Sequence, residues 1–524
     1  MDGTAVLTVQ AGYVFNGNDG QSKTWGEDTN WQGNEAPDGN EKVVILADVD
    51  ITDSVSVDAM TIKDGITVTV QDGAVLTIGN SDSFVRSSYG NLYVENGGQV
   101  IFGEGEMKVK DFVLEAQLGD NTNADPASYG QVSGAEQLKV TGDAYFRISF
   151  DPRGAIDYGW YDFTVPFEVD ALSGVYDANG NKLTYNLDYA VMDFSEEKRA
   201  VNGKYWNWFS GTLQPNKLYS ITFDDEKHWN TFLFKRKSVT ASYGGDAYNA
   251  SYSENGETKD RGWNGMGNGT LHHCQLNNLP AQTKIQVYDH ANDRYVERDA
   301  DEYTYAVGTA FFVQVDEEKD VDLTAVNETR DFLAPARYEG RTFDEFRLAL
   351  TAEDANNVAD YLWVSASEEA TGDYVIGRDL IKMGTPTNAK VAQMWTTNNG
   401  LTLCDIEMPL IANKANTNVS FFAPQSGLYE IAVERAPEDA TLYLTKNGKV
   451  IWNLSMNPCE LNLEKGTTEG YGLRIVAREQ TPTDIENVDS FGGENVRKVM
   501  IDNVIYIVTP EGKMYDIIGK SVKY

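Results

Sequence analysis

VDITDSVSVDAMTIKDGITVTVQDGAVLTIG, residues 49–79, is a succession of short β-rich runs broken by tight turns. Ile66, Val68 and Val70 alternate with threonines, and Val75 and Ile78 continue the apolar pattern after the next turn. Period-two alternation of this kind places one set of side chains in a core and the other in solvent. Asp-Gly at 64–65 and 72–73 supplies the turns. The pattern runs on through NLYVENGGQVIFG (91–103), EGEMKVKDFVLEA (104–116) and YGQVSG (129–134), with Leu92 and Val94 alternating and Asn-Gly-Gly at 96–98 turning the chain. Recurrent short strands without helical periodicity fit a small right-handed β-solenoid, each coil burying the face of the one before. A meandering sandwich is the competing arrangement.

The chain as a whole agrees with an all-β reading. Its 524 residues exceed one ordinary core, so about three or four domains are expected. Hydrophobic residues make up 41% and aromatics 11%, enough to exclude general disorder. The 28 Tyr and 47 Gly suit many strands and many turns. Eighty acidic against 43 basic residues give a net charge of −37, which excludes nucleic acid as a partner because phosphate would be repelled. No apolar run reaches the eighteen or so residues that span a bilayer. The start, MDGTAVLTV, has neither a basic n-region nor an apolar h-region and reads as the point left after removal of a signal peptide.

Five segments follow from strand and turn signals. Residues 1–149 form the solenoid with a Trp-rich cap, in which Trp25 and Trp31 plug the open end of the stack. Residues 150–325 read as a β-sandwich with aromatic loops, from Tyr161-Asp162-Phe163 to a closing strand at Ala310–Val315. Residues 326–478 read as a second β-sandwich, with Asn447-Gly448 between two apolar runs as a hairpin signal. Within it, Leu348-Ala349-Leu350 fits either a strand or the start of a short helix. Residues 479–496 are a polar linker, and 497–524 are two strands joined by Thr509-Pro510-Glu511-Gly512.

Three of these stretches carry a resemblance. Trp25, Asn30-Trp31, Pro37 and the strand Val43–Ile45 resemble the opening of solenoids exported by type IX secretion. Trp160-Tyr161 followed by Pro166-Phe167 resembles the strand that comes after the solenoid in such surface proteins. The tail, with Tyr506, Gly512, Tyr515, Asp516 and Gly519 and five basic against three acidic residues, resembles their C-terminal sorting domain. The resemblance implies export by the type IX secretion machinery to the outer surface of a gram-negative cell, anchorage to surface polysaccharide, and no membrane span. Its motifs are architectural and transfer no catalytic residue.

Candidate chemistry is sparse. His272-His273-Cys274 puts neighbours on opposite faces of a strand, so the two histidines cannot share a metal there. Asp48, Asp50 and Asp53 with Lys63 have lyase-like residue types on a solenoid of too few coils to make a substrate groove. Asp177 to Asp188 has a glutamate-free calcium-loop spacing that a hairpin turn at Asn179-Gly180 explains. Glu368, Glu369, Asp373 and Asp379 are the denser acidic group for a surface calcium, and no other cofactor is expected. Cys404 and Cys459 fall in one segment and can pair only if their Cα atoms are close. No nucleophile elbow, phosphate loop or zinc-protease motif occurs.

The expected function is therefore non-enzymatic binding of a macromolecule at the cell surface. Tyr205, Trp206, Trp208, Trp263 and Met266 are the candidate anchors, because aromatic residues dominate interface energies. The charge favours a cationic host protein such as a digestive protease. A carbohydrate-binding or polysaccharide-degrading protein that uses the same aromatics on a glycan is one alternative, and a structural surface-layer component is another.

Overall fold

The computed structural model describes residues 13–477 apart from 18–22, 40, 58, 63–66, 72–73, 79–90, 97, 103–106, 119–129, 151–158, 204, 224–229, 246, 281–282, 291, 326–344 and 353–357, together with 497–501, 504–508, 513–516 and 521–522. Strand accounts for 55% of the described residues, with one α-helix among them, so the protein is all-β. It divides into two compact units, Met1–Ala477 and Arg478–Tyr524.

The first part of the large unit is built from parallel pairing in chain order. Val49–Ile51, Thr67–Val70, Asn91–Val94, Phe112–Leu118 and Ala144–Phe150 each pair with the next, all parallel. A second row runs Val55–Val57, Val75–Ile78, Gln99–Phe102, Gln131–Ser133, again all parallel. A third face holds Tyr13–Phe15, Lys42–Ile45 and Ala59–Ile62, and Met107–Val109 pairs in the same sense with Leu138–Val140. The register sets Val49, Val68, Leu92, Phe112 and Ala144 in one ladder and Ile51, Val70, Val94, Leu114 and Phe146 in the next. Every member of both ladders is fully buried. Alternation in the sequence thus becomes a column of apolar side chains, each contributing about 1.5–3 kcal/mol of burial as an upper bound. Gly98 is required at its turn, since a Cβ there would lie 2.3 Å from the Val70 carbonyl oxygen. At the first end, Trp31 is fully buried and Trp25 nearly so, their rings 4.7 Å apart, with Trp31 Nε1 donating to the Trp25 carbonyl at 2.7 Å. Both rings are thereby shut off from solvent.

No break separates this part from the next. Ala144–Phe150 pairs on its other side, antiparallel, with Thr231–Lys235, which pairs in turn with Val175–Asp177. One core runs from Phe15 to Val307. Tyr161–Phe163, Tyr219–Phe223, Tyr189–Phe194 and Trp206–Trp208 form a four-stranded antiparallel sheet. The helix Glu196–Asn202 connects Tyr189–Phe194 to Trp206–Trp208, capped by the Ser195 side chain and ended by Gly203 at φ 67°. Two more sheets, Ala247–Ala250/Lys319–Ala325/Cys274–Asn277 and Trp263–Gly267/Ala310–Gln314/Lys284–Asp289/Arg294–Asp299, enclose Met266, Ile285, Tyr305 and Val313.

The remainder of the unit is a single long sheet that begins at Lys449–Asn453 and ends at Cys459–Leu463, folded around its own core. Phe346–Ala352 is a strand, paired with Asp360–Ser367 and Gly427–Arg435, with Leu348 and Leu350 fully buried. The alternative of a short helix at Leu348 is thereby overturned, because both neighbours supply ladder hydrogen bonds. Cys274, Cys404 and Cys459 are buried and none is in a disulfide, so Cys404 and Cys459 are not paired with each other. In the small unit, Arg497–Ile501, Val504–Val508, Met514–Asp516 and Ser521–Val522 make a four-stranded antiparallel sheet, with Tyr506 opposite Asp516 and Ile507 opposite Tyr515. Gly512, Gly519 and the expected linker 479–496 lie outside the described residues.

Candidate binding groove

The five candidate anchors separate into two environments. The strand Trp206–Trp208 pairs with Tyr189–Phe194, setting Trp208 opposite Met192 and Trp206 opposite Phe194. Trp206 is half-buried, with ring contacts to Phe194 at 5.9 Å and Phe312 at 6.1 Å. Tyr205 is half-buried and Trp263 fully buried, and the Arg199 guanidinium lies 4.8 Å from the first ring and 4.5 Å from the second. The ring faces that a ligand would use are therefore occupied by a cation of the protein itself. Trp263 Nε1 donates to the Lys259 carbonyl at 2.9 Å. Met266 is fully buried in the core between the two sheets. The expectation that Trp263 and Met266 are surface anchors is corrected: their strand is buried along its whole length and packs against Ala310–Gln314.

Trp208 points elsewhere. It is 66% exposed and stands beside Leu187, which is 71% exposed, at an open groove of about 570 Å³. Tyr185, Tyr189 and Phe223 line the groove, and the Trp160 ring lies 5.8 Å from that of Trp208. The Tyr185 hydroxyl donates to the Phe209 carbonyl at 2.8 Å, and the Tyr189 hydroxyl to the Ala171 carbonyl. Burial raises the pKa of both phenols. With the hydroxyls spent inside the protein, the groove offers ring faces, the Leu187 side chain, and the polar groups of Asn186 and Ser210. Asn186 takes the left-handed backbone conformation (φ 62°) that turns Leu187 outward. Such a surface can hold an apolar side chain or the C–H face of a sugar ring.

The other candidate groups have structural partners. Asp48 accepts from Thr67 N at 3.0 Å and pairs with Lys23 at 3.2 Å, while Lys63 lies outside the described residues. Asp177 accepts from the backbone of Asn179 and Asn181 at 2.9 and 2.8 Å, as a hairpin turn requires. Glu368 and Glu369 are exposed, whereas Asp379 is buried and accepts from Val375 N at 2.8 Å and Glu407 N at 3.0 Å. Burial pushes the Asp379 carboxyl up to about 7 despite those two donors. His273 and Cys274 are buried, and His290 Nε2 accepts from Asp162 N at 3.0 Å.

Sequence reasoning missed Leu187, Tyr185 and Phe223 as companions of Trp208. The signal available was an apolar Leu187 between Asn186 and Asp188, out of place in a turn. Compared with known protein families, characterised proteins and solved structures, the chain matches none of them. Among the described residues, no helix is long and apolar enough to cross a membrane.

Proposed function

We propose that this protein is a non-enzymatic binding protein displayed on the outer surface of a gram-negative cell, and that it captures a macromolecular partner at the Trp208 groove. The observation that carries the reading is the side-by-side exposure of Trp208 and Leu187 at the rim of an aromatic groove. Large apolar side chains in that setting are what interface centres are built from. The net charge of −37 favours a cationic protein, such as a host digestive protease, by speeding encounter.

The in-register parallel ladders support a right-handed β-solenoid for residues 1–149, and the paired sheets after it support the sandwich assignments. The four antiparallel strands of the small unit support its reading as a type IX sorting domain, in which Tyr506, Tyr515 and Asp516 sit on paired strands. On this reading surface polysaccharide is the anchor. A glycan ligand is the second reading, favoured by the internal bonding of the Tyr185 and Tyr189 hydroxyls, which leaves ring faces for stacking.

Immobilised wild-type and Trp208→Ala proteins, exposed to lysozyme as a cationic probe and to an array of neutral glycans, test the proposal. Capture of lysozyme at physiological salt, weakened at least about tenfold by Trp208→Ala, is the expected result. Retention of a neutral glycan without lysozyme would transfer the groove to carbohydrate.

A further inference from the structure

A second cavity, of about 770 Å³, lies between the turn and strand at 133–140, the segment 236–245, and Thr270–His272. Its wall contains Arg236, only 7% exposed. Arg236 spends Nη2 on the carbonyls of Val140 at 3.2 Å and Gly142 at 3.4 Å. Its guanidinium lies 6.0 Å from the Tyr243 ring centre, and no ion pair of Arg236 with a carboxylate occurs among the described residues. An arginine removed from water normally has a carboxylate beside it, because the charge is costly to bury alone. Here the side chain lines a cavity.

The surroundings are unusual for this chain. Lys139 and His272 line the same cavity against a single acid, Glu136. Lys139 donates to the Glu136 main-chain carbonyl, which leaves its charge uncompensated by that contact. His272 engages the His273 carbonyl through Nδ1 at 3.0 Å, which directs Nε2 away from that bond. A local excess of positive charge in a protein of net charge −37 is a departure from its composition. The Tyr243 hydroxyl, in the same wall, is shut off from solvent and has no partner among the described residues.

We infer that this cavity binds a carboxylate-bearing saccharide of the uronic-acid class. The planar guanidinium fork of Arg236 matches a carboxylate, with Lys139 adding charge from the rim. The exposed side chain of Val239 meets the C–H face of the sugar, and the hydroxyls of Ser133 and Ser242 meet its hydroxyls. The volume lies within the range of small-ligand sites and accommodates a disaccharide. The site is independent of the Trp208 groove, and no residue is shared between them. The acidic remainder of the protein repels an anion at long range, so the cavity selects its ligand by contact and not by steering.

Titration calorimetry of the full chain with a glucuronic acid–N-acetylglucosamine disaccharide, with cellobiose as the neutral match and acetate as the bare carboxylate, tests the inference. The acidic disaccharide is expected to bind at least about tenfold more tightly than either comparison ligand. Arg236→Gln should weaken it about tenfold or more. Lys139→Ala, on an exposed side chain, should weaken it about threefold with the melting temperature unchanged. If Arg236→Gln fails to fold, Lys139→Ala still decides. Equal binding of cellobiose, binding of acetate as tight as the disaccharide, wild-type affinity in Lys139→Ala, or absence of binding at millimolar ligand would each overturn the inference.

Discussion

The parallel ladders near the start of the chain and the centre of the junction between residues 284–302 and the long sheet of residues 346–477 are both buried, yet they are held by opposite means. In the ladders, apolar side chains stack on apolar side chains, Val68 on Leu92 and Val70 on Val94. In the junction, charges do the joining. Lys382 Nζ lies 3.1 Å from Glu297 and 2.9 Å from Asp360, and Lys284 lies 2.7 Å from Asp299 and 3.0 Å from Glu345. Arg294 also reaches Asp360, and Arg347 and Arg435 also reach Asp299. Apolar contacts are individually replaceable and fail by degrees. A buried ion network fails abruptly, since loss of one member leaves another charge stranded without water.

The largest expected effect tests that contrast at its strongest point. Lys382→Met leaves Glu297 and Asp360 buried without their shared cation and should destabilise the large unit by about 3–5 kcal/mol in urea unfolding. A loss below about 1 kcal/mol would mean that Arg294 and nearby donors already satisfy both acids. The pH dependence follows from the directions. Burial pulls the Lys382 pKa down, but Asp360 and Glu297 more than reverse it, so the folded value is raised. A raised lysine contributes stability that is fully present below its unfolded value, about 10.4, and is lost only as pH rises through the folded value. The junction should hold throughout the neutral range.

The ladders should respond more gently. Leu92→Ala, which removes one rung between Val68 and Phe112, should destabilise by about 2–4 kcal/mol, and Val68→Ala by less. Equilibrium unfolding of the two variants against Lys382→Met would rank the two regions directly. If Leu92→Ala exceeded Lys382→Met, the junction would be the more tolerant of the two.

The two regions also differ in how far they were legible in the sequence. Alternation at 66–70 and 91–94 and the Gly-bearing turns announced short strands, because a strand's face is written in neighbouring residues. The same rule made Phe346–Ala352 ambiguous, since Leu348, Ala349 and Leu350 are consecutive apolar residues without a period. The charge junction left no local signal. Glu297, Glu345, Asp360 and Lys382 are far apart in the chain and look like any others among eighty acids and 43 bases. The anchors failed for a related reason: Trp208 and Trp263 have similar sequence surroundings, and only tertiary packing, with the Arg199 guanidinium over the Trp263 ring, decides which one is covered.

Asp379 gives a smaller effect of the same sign, but in a lower pH window. It lies beside the Arg378–Glu407 pair, whose separation is 2.7 Å, and burial is the main reason its carboxyl is pushed up to about 7. A carboxyl raised above its unfolded value adds stability below that value and loses it as pH rises through the folded value. Stability should therefore increase as pH falls from 8 to 5, by roughly 2–3 kcal/mol for this group alone. Asp379→Asn keeps an acceptor for one backbone N–H and should flatten that slope. An unchanged slope in Asp379→Asn would assign the titration to another group.

The smallest expected effect on stability is at Trp208, and it separates binding from folding most cleanly. Trp208 and Trp263 are both tryptophans on antiparallel strands of the same unit, but one is 66% exposed and the other fully buried. Trp263→Ala removes a ring that packs on Arg199 and gives up the bond to the Lys259 carbonyl, so it should destabilise by about 3–5 kcal/mol. Trp208→Ala removes a ring whose larger part faces water, next to Trp160 at 5.8 Å, and should shift stability by no more than about 0.5 kcal/mol. Its consequence should instead appear as faster dissociation of whatever occupies the groove, since truncating an interface anchor acts chiefly on the off-rate. Melting curves and binding kinetics on the same two proteins distinguish the cases. If Trp208→Ala melted several degrees early, the ring would be part of the core after all, and the groove would lose its claim to a ligand.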